Sequence, residues 1–302
     1  MSAVLYDAAG PRGRRRILLG SAAAGLVVAL VVVVAVKRLA DKGQFEADLW
    51  TPFLNNPDLQ RLLAQGILAT LRAAVVAGAL SAVAGAALAL ARLSLSRPVR
   101  VVATAEVEFF RGLPLLLLIV FCAFGLPRYG IDLPTFWYLV LGLTLYNSAV
   151  LSEIFRAGIL SLPRGQSEAA YAVGLTYWQS MLLVVVPQAV RRMLPSLISQ
   201  FVTLLKDTSL GFVIAYEELL RRAGEAVQVL GNPIQMYLVV ALMYIAVCYS
   251  LSLVARRLEG RQRRKYGGGP ILAGDPGALG GIDGGGLGAP EVGAQVGAGA
   301  PR

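Results

Sequence analysis

Arg111, Lys206 and Asp207 are charged residues set inside long apolar runs, where an ionised group needs a reason to be. Arg111 lies in "ATAEVEFFRGLPLLLLIVFCAFGLP" together with Glu106 and Glu108, and Lys206 and Asp207 lie in "FVTLLKDTSLGFV". At bilayer depth such a group costs about 2.5 kcal/mol or more unless it pairs, faces a polar cavity or snorkels to the interface. The chemistry available to these residues is recognition of charge. A guanidinium offers a carboxylate a planar fork and a lysine offers a point charge, while Asp207 or Glu108 can accept from an ammonium group. Lys206 and Asp207 are adjacent, so on a helix they point about 100° apart and do not neutralise each other face to face. They require a partner on another helix, in an internal network or as a bound solute. The spacings Glu108/Arg111 and Glu153/Arg156 instead predict i, i+3 ion pairs at helix ends. The sequence contains no histidine, which removes His-ligated metal sites, Ser-His-Asp triads and imidazole acid–base chemistry.

The elements that must position these residues are membrane helices. The chain is 56% hydrophobic and 15% charged, against about a quarter charged in soluble domains. Runs near the 20 residues needed to cross a bilayer fall at 17–36, 62–91, 99–125, 134–159, 191–214 and 233–255. Gly112 and Pro114 predict a break in the third run, and broken helices expose backbone that can line a cavity. The first run follows Arg12, Arg14, Arg15 and Arg16 but is too long for a signal peptide, so it is read as a retained helix. The net charge of +10 is not the footprint of a nucleic-acid binder, because the bases gather at the edges of apolar runs. Their distribution predicts an inside N-terminus and, with six spans, an inside C-terminus. Cys122 and Cys248 fall within spans and read as small buried hydrophobes. Trp50, Trp137 and Trp178 read as interface anchors. Gly78 and Gly85 would let a neighbouring helix approach closely.

The expected organisation is a basic cytoplasmic N-terminus over 1–16, an extra span over 17–36, an extracellular segment over 37–61 and a core over 62–256. The tail over 257–302 is read as cytoplasmic, basic at first and then glycine-rich, and its stretch 267–302 cannot offset the entropy of ordering and is expected to be disordered. Within the core, 161–192 reads as a cytoplasmic segment with its own short helix. Pro163 can open that helix and Gly174 can end it by adopting a backbone angle closed to other residues.

The stretch "EAAYAVGLTYWQSMLLVVVP" resembles the cytoplasmic signature of the membrane subunits of binding-protein-dependent ABC importers. Glu168, Ala169 and Ala170 are followed after three residues by Gly174, and nine residues later come Val184, Val186 and Pro187. "EFFRGLPLLL" at 108–117, "FGLP" at 124–127, "SEIFRAGILSLPRGQSEAA" at 152–170 and "LLKDTSL" at 204–210 are similar to the polar amino-acid branch. "VLYDAAGPRGRRR", the extra first helix and "LADKGQF" at 39–45 are similar to the larger of two paired permeases in actinobacterial glutamate uptake.

The resemblance implies an all-α type I importer permease with a five-helix core plus one extra N-terminal helix. It implies a channel-forming, non-catalytic subunit importing a polar amino acid, with glutamate first among the candidates. Glu168, Ala169, Ala170, Gly174 and Pro187 would belong to the ATPase-coupling segment. Arg111, Lys206 and Asp207, then Glu108 and Gln200, would border the solute pathway. ATP and Mg2+ would be used by two cytoplasmic ATP-binding subunits and no cofactor held by this chain. The remaining partners implied are a second, different permease and an extracellular solute-binding protein docking over Tyr216 to Glu225. Read from residues alone, the same charges also suit an ion-coupled secondary transporter or a non-transporting scaffold.

Overall fold

The structure, a computed structural model, describes residues 10–266, with the backbone alone for residues 11, 254–256 and 258–266. The glycine-rich stretch expected to be disordered, 267–302, lies outside the described residues, as do residues 1–9. The described chain is helical throughout: α1 (Pro11–Asp41), α2 (Thr51–Asn55), α3 (Pro57–Arg92), α4 (Arg97–Gly112), α5 (Leu115–Gly125), α6 (Thr135–Leu160), α7 (Gly165–Ala172), α8 (Tyr177–Ser180), α9 (Val186–Asp207), α10 (Leu219–Leu230) and α11 (Pro233–Tyr266).

The two central helices, α3 and α6, lie side by side and run in the same direction. Arg72 meets Phe136 near one end, Gly85 meets Ser148 and Leu151 midway, and Arg92 meets Glu153 near the other end. A Cβ at Gly85 would sit 2.8 Å from the Ser148 carbonyl oxygen, so the approach of the two backbones requires glycine there. Helix α9 runs back the other way, with Met193 against Gly158, Gln200 on Asn147 and Phe201 against Gly78. Small residues Ala73, Ala74 and Ala77 let Leu139, Leu143, Ile119, Leu204 and Leu205 close over α3 as one buried core. At the opposite end, Leu59 and Leu63 of α3 pack with Leu219, Ala223 and Met236.

Asn56 starts α3 by accepting from the Asp58 and Leu59 N–H groups at 3.0 and 3.2 Å, with Pro57 in the first turn where a missing N–H is harmless. The break expected near Gly112 and Pro114 is sharper than a kink, since α4 and the segment Leu115–Tyr129 are bent by 96°. Leu113 is extended and Pro114 cannot donate back into α4, so the helix stops there. The third run is therefore two arms. The fifth run also differs from expectation. Its helix starts at Tyr177, where Thr176 and Gln179 form a capping box, and continues through a π-helical turn at Met181–Val185 into α9. Pro187 lies within this continuous helix: it follows the wider π turn, which takes up the lost N–H and the bulk of the ring without breaking the helix.

Among the described residues, five helices are long and apolar enough to cross a membrane, or six if the bent pair counts as one span. None of the most apolar stretch of α1 is buried, which suits a helix surrounded by lipid.

Candidate functional site

Helix α7 is short, and its position is fixed from both ends. At its C-terminus the Leu175 N–H donates to the Ala170 carbonyl at 3.1 Å and the Gly174 N–H to the Tyr171 carbonyl at 2.9 Å. This double closure needs a left-handed residue, and Gly174 supplies it with φ +83°. The Tyr177 hydroxyl donates to the Leu93 carbonyl at 2.7 Å, linking α8 to the end of α3. Gln188 of α9 donates to the Gln166 side chain at 3.0 Å, and Arg192 to the Ser161 carbonyl at 2.9 Å. Ile159, Met181, Val185, Ala189 and Met193 make a third buried cluster beneath it. Of the signature residues, Glu168, Ala169 and Gly174 are exposed and Ala170 is buried against the protein itself. Ala170 therefore packs inward, while the outer face offers Glu168, Ala169, Tyr171 and Val173. Pro187 is exposed in the helix beyond the π turn, away from α7 in sequence but on the helix that braces it.

At the same end, a single carboxylate ties three helices. Glu153 of α6 accepts from Arg92 of α3 at 2.8 Å, Arg111 of α4 at 3.1 Å and Arg156 of its own helix at 3.2 Å. Glu153/Arg156 is the i, i+3 pair that its spacing predicts. Glu108/Arg111 is not: Arg111 reaches Glu153 instead, and Glu108 is exposed with no ion pair among the described residues. The 96° turn after Gly112 brings the end of α4 beside α6, which places Arg111 against a different helix. Arg92 and the gathering role of Glu153 were not singled out in the sequence. Its only hint was an arginine at the end of one apolar run and a glutamate near the same end of another.

Lys206 and Asp207 lie at the far end of α9, Lys206 exposed and Asp207 half-buried, and neither forms an ion pair among the described residues. Gln200 donates to the buried Asn147 side chain at 2.8 Å, and Asn147 in turn donates to the Leu143 carbonyl at 2.9 Å. Gln200 also borders an apolar cavity of about 190 Å³ with Phe155, Leu197 and Phe201. Arg111 near one end, Gln200 midway and Lys206–Asp207 near the other are thus strung along the bundle and do not converge on one point.

Beyond α9, the fully buried Glu218 starts α10 by accepting from the Leu220 and Arg221 N–H groups at 2.8 and 2.7 Å, and takes a third bond from the Tyr244 hydroxyl at 2.8 Å. Burial pushes its carboxyl above the usual carboxylate range, and the three donors offset only part of that. Burial also raises the Tyr216 hydroxyl, with Arg72 opposing and the two neighbouring glutamates adding to the shift.

Residues 74–264 match the family described as binding-protein-dependent transport system inner membrane component. The chain belongs to that family. The permease is 41% identical over 230 residues to the glutamate transport system permease protein GluD of Corynebacterium glutamicum, covering 75% of this chain and 84% of that one. It is 36% identical over 220 residues to the glutamate/aspartate import permease protein GltK of Escherichia coli O157:H7, covering 68% and 95%. A crystal structure of an amino acid ABC transporter with histidines superposes with a TM-score of 0.65 and 31% identity, over 69% of this chain and 98% of that one. The fold is therefore that of a type I importer permease, and the protein is an integral membrane permease of a polar amino-acid ABC importer. The extra α1 precedes the matched region.

Proposed function

We propose that this permease imports glutamate, as one of two paired permeases whose cytoplasmic face is gripped by a pair of ATP-binding subunits. The observation that carries the reading is α7. It is a helix with an exposed Glu168–Ala169 face, stopped by a left-handed Gly174 and bonded to α9 through Gln166 and Gln188, while the residues flanking it are tied in by Tyr177 to the end of α3 and by Ser161 to Arg192 of α9. A push on α7 is passed to the bundle because those links leave it little independent freedom. Orientation follows from the bases: both termini and α7 lie in the cytoplasm, and α10 faces outward.

In this reading Glu168 meets a polar group of the ATPase groove, Ala169 permits close contact, and Ala170, Gly174 and Pro187 hold the segment in shape. ATP and Mg2+ act in the partner subunits, and their closure moves the permease pair between inward-open and outward-open states. An extracellular binding protein docks over Tyr216 to Glu225. Lys206 and Asp207 supply opposite charges to the passing solute, with Arg111, Glu108 and Gln200 further along its route. The glutamate assignment is supported by the names of the relatives reported above.

The test is purification of the intact complex and reconstitution with each candidate binding protein, followed by ATP-dependent uptake of glutamate, glutamine, arginine and histidine. Glutamate is expected to accumulate fastest. Uptake of another amino acid in its place would correct the substrate, and uptake with no ATPase subunit in the complex would overturn the mechanism.

A further inference from the structure

The end of the bundle at α10 holds a polar cavity of about 510 Å³, within the size range of small-molecule sites, about 300–1,000 Å³. Arg72, Glu217, Phe136, Tyr216, Thr135 and Gln65 are among the residues that line it. Arg72 is exposed, and it has no carboxylate partner among the described residues. Its guanidinium carbon lies 4.7 Å over the centre of the Phe136 ring, which holds the cation in place and leaves N–H groups for a ligand. Thr135 and Phe136 also open α6, so backbone N–H groups with no intrahelical partner border the same cavity. Glu217 contributes the opposite charge: one carboxylate oxygen is bound by Arg222, which also lines the cavity and is shared with Glu225, and the other oxygen has no partner among the described residues. The Tyr216 hydroxyl is already committed to the Ala69 carbonyl at 3.0 Å, which holds this wall of the cavity against α3.

We infer that this cavity is an entry station for a zwitterionic α-amino acid, which places its carboxylate on Arg72 and its ammonium group on Glu217. The inference rests on the proposed import function and its orientation, and it assigns residues separate from Lys206, Asp207 and the others along the pathway. A cation held over an aromatic ring and an anion lining the same cavity are complementary to the head group shared by all α-amino acids. The station therefore selects the class of solute and leaves the side chain to be read elsewhere.

The test places a thiol at Ala69, a lining residue whose backbone carbonyl alone is engaged. Vesicles carrying the whole complex with Ala69→Cys are treated from outside with a membrane-impermeant thiol reagent, with no binding protein present, over rising concentrations of L-glutamate. L-Glutamate is expected to protect the thiol. Adding Arg72→Gln or Glu217→Gln should raise the half-protecting concentration at least tenfold, with Arg72→Lys intermediate. Glutarate, which lacks the ammonium group, should protect at least tenfold more weakly. Equal protection in the Arg72→Gln and Glu217→Gln variants, equal protection by glutarate, or a thiol out of reach from outside would each overturn the station. Should Arg72→Gln fail to assemble, the Arg72→Lys and Glu217→Gln variants decide alone. Uptake measured on the same vesicles, loaded with ATP and after the binding protein has been added, separates the two claims. Uptake without protection sinks the station and keeps the import reading, whereas protection without uptake does the reverse.

Discussion

Glu153 joins three arginines at the α7 end, and its removal exposes how unequal these partners are. Arg92 is 7% exposed and Arg111 46% exposed, so only Arg92 would be left as a buried charge without a counter-ion. Glu153→Ala is therefore expected to destabilise the detergent-solubilised permease by on the order of 3 kcal/mol, whereas Arg111→Ala should cost about 1 kcal/mol or less. Denaturation followed in parallel for the two variants checks this, and equal losses would mean that the cluster is not organised around Arg92. Glu218 makes a different prediction because its carboxyl is pushed up by burial. A carboxyl raised above its unfolded value favours the native contacts most at acid pH, and that contribution is lost as pH rises through the raised value. Amide exchange in α10, corrected for the intrinsic rate, should lose protection on raising the pH from the ordinary carboxylate range toward neutrality. In Glu218→Gln, which keeps an acceptor at the cap, protection should be flat over the same window. A wild-type profile that is flat as well would remove the argument.

At the scale of the element, α7 works only if it stays rigid while force is applied to it. A β-branched residue at Gly174 would have to hold φ +83°, which costs about 1–3 kcal/mol and is relieved by opening the Schellman closure. Nothing lies within 4 Å of a Cβ there, so the effect isolates backbone strain from crowding. Gly174→Val is expected to leave membrane insertion intact and to lower uptake at least tenfold while ATP hydrolysis continues in the complex. Loss of both together would point to assembly instead of coupling. The helix and its stop were legible because Gly174 sits where an eight-residue helix must end. Its contact face was legible only in part. Ala169 and Ala170 are identical in type and adjacent, and which of them faces inward depends on how α7 lies against the π turn and α8. Cysteines at Glu168 and Ala169 should therefore crosslink to an ATP-binding subunit while one at Ala170 should not. Crosslinking at Ala170 alone would reverse the assigned faces.

Over the whole molecule, length and apolarity placed the long helices, whereas the charged pathway was the least readable part. Arg111, Gln200 and Lys206 are distributed over different levels, and the 96° bend that carries Arg111 to Glu153 has no counterpart in sequence spacing beyond Gly112 and Pro114. Arg72 was likewise invisible, since an arginine in an alanine-rich run states its cost but not that Phe136 lies beneath it. The separateness of α1 gives a test of how far the architecture is modular. No residue in the most apolar stretch of α1 is buried in this chain, and a tether to the core lies just beyond its end, where Gln235 donates to the Gln44 carbonyl at 2.6 Å. A permease lacking residues 1–41 keeps Gln44 and every residue of the buried clusters. It should therefore retain the unfolding midpoint of the full chain in the same detergent, because hydrophobic stabilisation follows area removed from solvent and α1 removes almost none within the chain. If the midpoint holds and the complex still assembles, α1 is an independent lipid-facing addition. A midpoint that falls as far as it does for Glu153→Ala would instead assign α1 a packing partner within the permease.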